Sequence, residues 1–283
     1  MEAAAKMFSG GWIAAAFILF FICLMLPVFY VIYYVFKKNF NPLIMLIGIV
    51  AFIVFDRFVT EQLLIRFFAP SSAIGTISTQ SYAIRLALSV GVVKALGIWV
   101  VLLILSKWYV TVIVPASFAL GYSVLDMIFL RGSPGFSAFT QATAVNNNGL
   151  EEVVSTVDLA QQEAFRRSIT ELAATPASFY IWRTGTAICA FAAAVCLARL
   201  LWYSIEGGKR EKSMMLIPIC VAVAVVLELP EALYYGGAFS SYAPAGIAYY
   251  VMTILLVLGT IFVSRRHDEK ERVSDTPLRP RRR

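Results

Sequence analysis

An all-α, polytopic membrane protein of about seven transmembrane helices is predicted, on three observations. The chain is 60% hydrophobic with a mean hydropathy of +0.77, well above the apolar share of a soluble domain. The excess comes in runs of about 20 residues, the length of a bilayer-crossing helix. Charged residues, 14% of the chain, gather mainly between those runs, without the alternating ten-residue segments of an outer-membrane barrel.

The first run, Gly11–Phe36, contains Pro27 as an expected kink and ends at Lys37-Lys38. It has little positive charge before it and no small-residue cleavage site after it, so it reads as a retained helix. Glu2–Lys6 spells EAAAK, a unit typical of semi-rigid helical spacers. The second run, Pro42–Ile65, carries Asp56, Arg57 and Glu61, and Arg57 and Glu61 have the spacing of a helical ion pair. A Pro/Ser/Gly-rich loop, Pro70–Ser81, leads to the third and fourth runs, Arg85–Ser106 and Trp108–Leu130.

Gly132–Pro176 is the longest polar stretch and is predicted to be a loop. Asn146–Gly149 is a turn signal, and Asp158–Leu172 reads as a short amphipathic helix. Three runs remain: Ala177–Tyr203, Met214–Tyr235 and Ala243–Val263. A solvated basic tail follows at Ser264–Arg283, so residues 1–263 form one transmembrane domain with 132–176 external. All four cysteines (Cys23, Cys189, Cys196, Cys220) fall inside apolar runs and read as packing residues.

Lysines and arginines orient the bundle. Lys37, Lys38, Lys107, Lys209, Arg210 and Lys212 share one face with the tail, which predicts N-terminus out and C-terminus in. The net charge of +7 is concentrated there. Arg265, Arg266, Arg279, Arg281, Arg282 and Arg283 would attract anionic lipid headgroups, and no nucleic-acid partner is expected.

The candidate site comes from polar residues inside the apolar runs. Asp56, Lys94, Tyr122, Asp126 and Glu228, with Glu61 nearby, come from four predicted helices. At about 1.5 Å of rise per residue, the acids and Tyr122 lie roughly 6–14 Å below the outer face. Lys94 starts near the lower limit and can raise its ammonium to their level. A charge at mid-bilayer costs about 2.5–3.5 kcal/mol on insertion scales, so such groups face partners or cavities. The plain reading is a structural ion pair; the sharper one is a site, intact or decayed.

Three strings in this layer resemble a known pattern. Ser89–Ile98 keeps the two glycines, Gly91 and Gly97, of an AGxFEExGR-type string, with Lys94, Ala95 and Ile98 at its two glutamates and arginine. Phe118–Asp126 is similar to a YGxGHGGxE-type string: Gly121 is kept, Tyr122 stands for histidine and Asp126 for glutamate. Ala224–Glu228 resembles an HxxxD-type string without its histidine. With Pro27, Lys37-Lys38, Gly48 and Glu61–Leu64, these resemble the YhfC-like family of intramembrane metalloproteases over Leu26–Gly237. That family lies in the CAAX-protease superfamily, akin to the seven-helix scaffold subunit of gamma-secretase. The resemblance implies the fold, a bacterial plasma-membrane location and glutamate–histidine metal chemistry.

The departures speak against that chemistry. A catalytic zinc needs three protein ligands and an open position, while the only histidine, His267, lies in the tail. No catalytic residue, metal or other cofactor is therefore expected. The expected function is a catalytically inactive relative acting as a scaffold or helix-binding subunit for another membrane protein. Two alternatives stand beside it. One is a small transporter or channel-like protein whose acidic layer binds a cation. The other is a peptidase of altered chemistry, such as a serine–lysine dyad of Lys94 with Ser89 or Ser123. In the expected arrangement Lys94 pairs with Asp126, helped by Glu228. No P-loop, dinucleotide fingerprint or CxxC is present.

Overall fold

The computed structural model describes residues 7–37, 40–70, 76–109, 111, 113–206 and 215–274, with side chains as far as Arg266. The spacer Glu2–Lys6, Lys38, Lys209, Arg210, Lys212 and Arg279, Arg281, Arg282 and Arg283 of the tail lie outside the described residues. Among the described residues seven helices are long and apolar enough to cross a membrane, and the chain is an integral membrane protein.

Helix α1, Gly10–Phe36, starts where Ser9 Oγ accepts the Trp12 amide at 3.2 Å, and Pro27 lies within it without ending it. Helix α2, Pro42–Phe68, starts at Asn41, whose side chain accepts from the amides of Leu43 and Ile44. Proline at its first position costs no helical hydrogen bond. Helix α3 is Thr79–Leu105, capped by Ser78.

Helix α4 is Ile113–Asn148 and does not end at Leu130 as expected. A widened π-helical stretch, Asp126–Gly132, precedes Pro134 and lets the helix continue. Beyond it Ala138, Ala142 and Val145 form a buried stripe at helical spacing that packs against α1. The predicted loop is thus mostly helical. After Gly149, whose positive φ of 89° turns the chain as the Asn-Gly signal foretold, come α5, Leu150–Ser155, and α6, Gln162–Ala174. Val154 and Ile169 anchor this segment. Asn146 clasps the backbone N–H and C=O of Phe8, at 3.0 and 2.7 Å, and the Trp12 indole donates to Thr175 O at 2.7 Å.

Helices α7, Ala177–Glu206, α8, Leu216–Tyr235, and α9, Ala243–Ser274, complete the bundle. Helix α9 extends past the expected end at Val263 into the sequence read as tail. Arg265 and Arg266 are exposed there, with Arg266 4.3 Å from the Phe262 ring centroid. Helix α7 is central and touches α1, α3, α4, α8 and α9, which its small residues Ala187, Ala190, Ala194 and Ala198 permit. The four cysteines are unpaired.

Two glycine contacts set the spacing around the polar layer. A Cβ on Gly121 of α4 would lie 1.9 Å from the Met45 carbonyl oxygen of α2, and one on Gly91 of α3 would lie 2.5 Å from Val225 Cα of α8. Backbones meet at both points. Gly121→Ala should therefore destabilise the bundle by about 1–3 kcal/mol, the usual range for overpacking. Gly259→Ala, with nothing within 4 Å of its Cβ, should be neutral. Thermal unfolding in mild detergent compares the two.

Candidate functional site

The ionisable side chains of α2, α3, α4, α7 and α8 converge on one buried cluster. Lys94 of α3 donates to Glu228 Oε1 of α8 at 3.1 Å. Arg131 of α4 donates from Nε to Asp126 Oδ2 at 3.2 Å and from Nη1 to Glu231 Oε1 at 3.5 Å. The Tyr122 hydroxyl donates to Asp56 Oδ2, and the Tyr242 hydroxyl donates to Glu231 and lies 3.1 Å from Thr186 Oγ1. Asp56, Lys94, Asp126 and Arg131 are each no more than 7% exposed. Arg183 of α7 lies 5.6 Å from the Phe179 ring centroid and has no carboxylate within 4.0 Å among the described residues.

Backbone geometry explains these partners. At 3.6 residues per turn, side chains five apart in an α-helix point about 140° apart. The π-helical turns of α4 bring Asp126 and Arg131 to one side, so Arg131 reaches an acid that ordinary spacing would deny it. Helix α2 is similarly widened over Ile53–Ile65, where the Thr60 hydroxyl donates to Phe55 O at 2.9 Å and Asp56 and Thr60 face inward. Helices α3 and α8 cross at Gly91 and Val225, and the long stem of Lys94 carries its ammonium to Glu228.

The expected pairing of Lys94 with Asp126 is therefore corrected. Glu228 takes the ammonium, because Arg131 already occupies Asp126. Asp56, Lys94, Asp126 and Glu228 do line one cavity, of about 130 Å³, with Arg131, Arg183 and Glu231. Tyr122 joins it through Asp56. Glu61 stands apart from the charge network: it pairs with Arg57 at 2.7 Å, as its spacing foretold, and lines an adjoining chamber of about 210 Å³. Ser89 donates to its own helix at Arg85 O, and Ser123 Oγ has no partner among the described residues. Neither contacts Lys94, so no serine–lysine dyad is assembled.

Arg131, Arg183, Glu231 and Tyr242 are the residues the sequence reading missed. Arg131 and Arg183 sit near the ends of predicted helices, where a basic residue gives no signal of burial. Tyr242 lies in the turn between α8 and α9. Its burial and the adjacent Glu231 carboxylate hold its phenol well above the usual range, so it remains a donor.

The profile of a family described as YhfC intramembrane metalloprotease matches residues 22–248. No curated protein and no solved structure matches the chain. That description implies a metal, and the acids of the cluster are the residues that would have to hold it. Asp126, Glu228 and Glu231 each accept from Lys94 or Arg131. No three His, Cys, Asp or Glu side chains among the described residues are placed to hold a metal ion. The cluster does not fit a zinc site, which needs three such ligands around one point and an open position, and Asp126, Glu228 and Glu231 already pair with Lys94 and Arg131.

Removing one member of a buried ion pair typically costs about 3–5 kcal/mol, whereas replacing both with apolar residues can be nearly neutral. Lys94→Met and Glu228→Leu should each be strongly destabilising, and the double variant should recover most of the loss. The coupling should exceed that between Lys94→Met and Asp126→Leu. Double-mutant cycles of thermal stability in detergent measure both.

Proposed function

The chain belongs to the YhfC intramembrane metalloprotease family, and on that premise we propose that it is a non-catalytic member, a membrane scaffold that holds another membrane protein. One observation carries the reading: fixed ammonium and guanidinium groups engage the carboxylates of the polar layer. By the motif resemblance, Lys94 stands in place of a glutamate, and Tyr122 and Ala224 in place of histidines. Lys94 and Arg131 supply positive charge where the family's chemistry resembles metal-dependent hydrolysis. Unlike a metal, they offer no vacant coordination position for substrate or water.

An ion-pair network that joins α3 to α8 and α4 to α8 suits a rigid frame. A lipid-facing groove of about 580 Å³ between α3 and α8, lined by residues such as Leu88, Val92, Val221 and Val225, offers apolar surface to a partner helix. The scaffold would sit in a bacterial plasma membrane, N-terminus out and C-terminus in, with the basic tail on anionic headgroups.

Two measurements test this reading. The purified protein should contain no stoichiometric zinc. A zinc ion held on each chain and lost from Asp126→Asn or Glu228→Gln would overturn the non-catalytic assignment. On intact cells, an impermeant thiol reagent should label Ser155→Cys and spare Ser274→Cys. Labelling at residue 274 alone would reverse the topology.

A further inference from the structure

The inner cavity has an unbalanced wall. Four acids line it, Asp56, Asp126, Glu228 and Glu231, against three bases, Lys94, Arg131 and Arg183. Fully ionised, the wall carries one more negative charge than positive. The excess can be assigned to a residue. Lys94 serves Glu228, and Arg131, with Arg183 on the same wall, stands against Asp126 and Glu231. Asp56 has no Lys or Arg nitrogen within 4.0 Å among the described residues. Its Oδ2 accepts from Tyr122, and its Oδ1 accepts from no described residue. At 6% exposure it is a deeply buried carboxylate with one oxygen unused. Such a group is costly to leave unmatched.

Asp56 also lines the adjoining chamber of about 210 Å³. The two cavities share Asp56, Val90, Leu130, Glu228 and Glu231, so Asp56 sits where they meet. The outer chamber contains no basic side chain and is walled by Ile65, Leu86, Val90 and Leu130 above its carboxylates. Glu61, 36% exposed, lies at its edge. An anion entering here would meet the carboxylates of Asp56, Glu61, Glu228 and Glu231 and no cation on the chamber wall to offset them. A bare alkali ion would leave the apolar walls uncovered. An apolar cavity of about 150 Å³ holds benzene, so the outer chamber has room for a short alkyl chain.

We propose that the joined chambers bind a small organic monocation, an alkylammonium or alkylguanidinium, with its charged head on Asp56 and its chain against Leu86, Val90 and Leu130. One positive charge neutralises the wall, and the apolar body covers the outer chamber.

The test is thermal unfolding of the purified full chain in mild detergent at pH 8, titrated with n-butylammonium at constant ionic strength. A saturable rise in midpoint is expected, lost in Asp56→Asn and kept in Glu61→Gln. No rise, or one that persists in Asp56→Asn, overturns the proposal. So does an equal rise with butanol, which would mean apolar filling alone. An equal rise with butyrate would mean an anion site at Arg183, and one with sodium alone an inorganic cation site; either overturns it. A second measurement does not depend on the folding of Asp56→Asn. Leu86→Cys, in a background with the four native cysteines replaced, should react with a maleimide several-fold more slowly when n-butylammonium is present. Unchanged labelling would count against the site.

Discussion

Arg131 is the interaction on which the interior depends. It reaches Asp126 on its own helix and Glu231 on α8, and its guanidinium lies 5.9 Å from the ring centroid of Tyr249 on α9. One cation thus ties three helices around a polar centre that hydrocarbon would otherwise reject. The desolvation of a buried ion pair is repaid only where hydrogen bonds satisfy the remaining lone pairs. Tyr242 supplies such a bond to Glu231, and Lys94 supplies one to Glu228. Without the guanidinium, Asp126 and Glu231 would share a buried site as two uncompensated carboxylates.

Widened helical turns make this centre possible. The π-helical stretches of α2 and α4 hold Asp56, Thr60, Asp126 and Arg131. An α-helix through the same residues would turn Arg131 away from Asp126 and place only one of them on the inner face. The widened turns weaken backbone hydrogen bonding but deliver two charges to the same place. Direct backbone contact at Gly48, Gly91 and Gly121 then brings the helices close enough for the side chains to meet. Packing and electrostatics are therefore one problem here: the close crossings place the charges, and the charges hold the crossings.

These facts mark where the sequence was readable. Seven spans followed from hydropathy because each carries its own long apolar run, a local property. Rise per residue predicts a shared layer for Asp56, Lys94, Tyr122, Asp126 and Glu228, and all five enter the cluster. Partner choice did not follow. Helical periodicity assigns Asp126 and Arg131 to different faces, and a π-helical turn has no clear signature in composition. The segment 132–176 misled for a related reason. Its stripe of Ala138, Ala142 and Val145 is too weakly hydrophobic to read as a buried helix, yet small residues are what close packing on α1 requires. Arg183 escapes a sequence reading because its place on the cavity wall depends on the tilt and packing of α7, which one-dimensional counting cannot supply.

A metal site and an ion-pair core make opposite demands on the same carboxylates. A metal ligand directs a lone pair at the ion and shares its negative charge with it, whereas an ion-pair acceptor has that charge already matched by a neighbouring ammonium or guanidinium. Here Asp126 gives Oδ2 to Arg131, Glu228 gives Oε1 to Lys94, and Asp56 gives Oδ2 to Tyr122. Removing Lys94 would free Glu228 but leave Asp126 still bound by Arg131. Placing histidine at 122 would add a nitrogen donor but withdraw the hydrogen bond from Asp56. No single substitution converts one arrangement into the other, because each change opens a new unsatisfied group before it completes a coordination set. Among the four acids of the layer, Asp56 alone has no Lys or Arg nitrogen within 4.0 Å among the described residues.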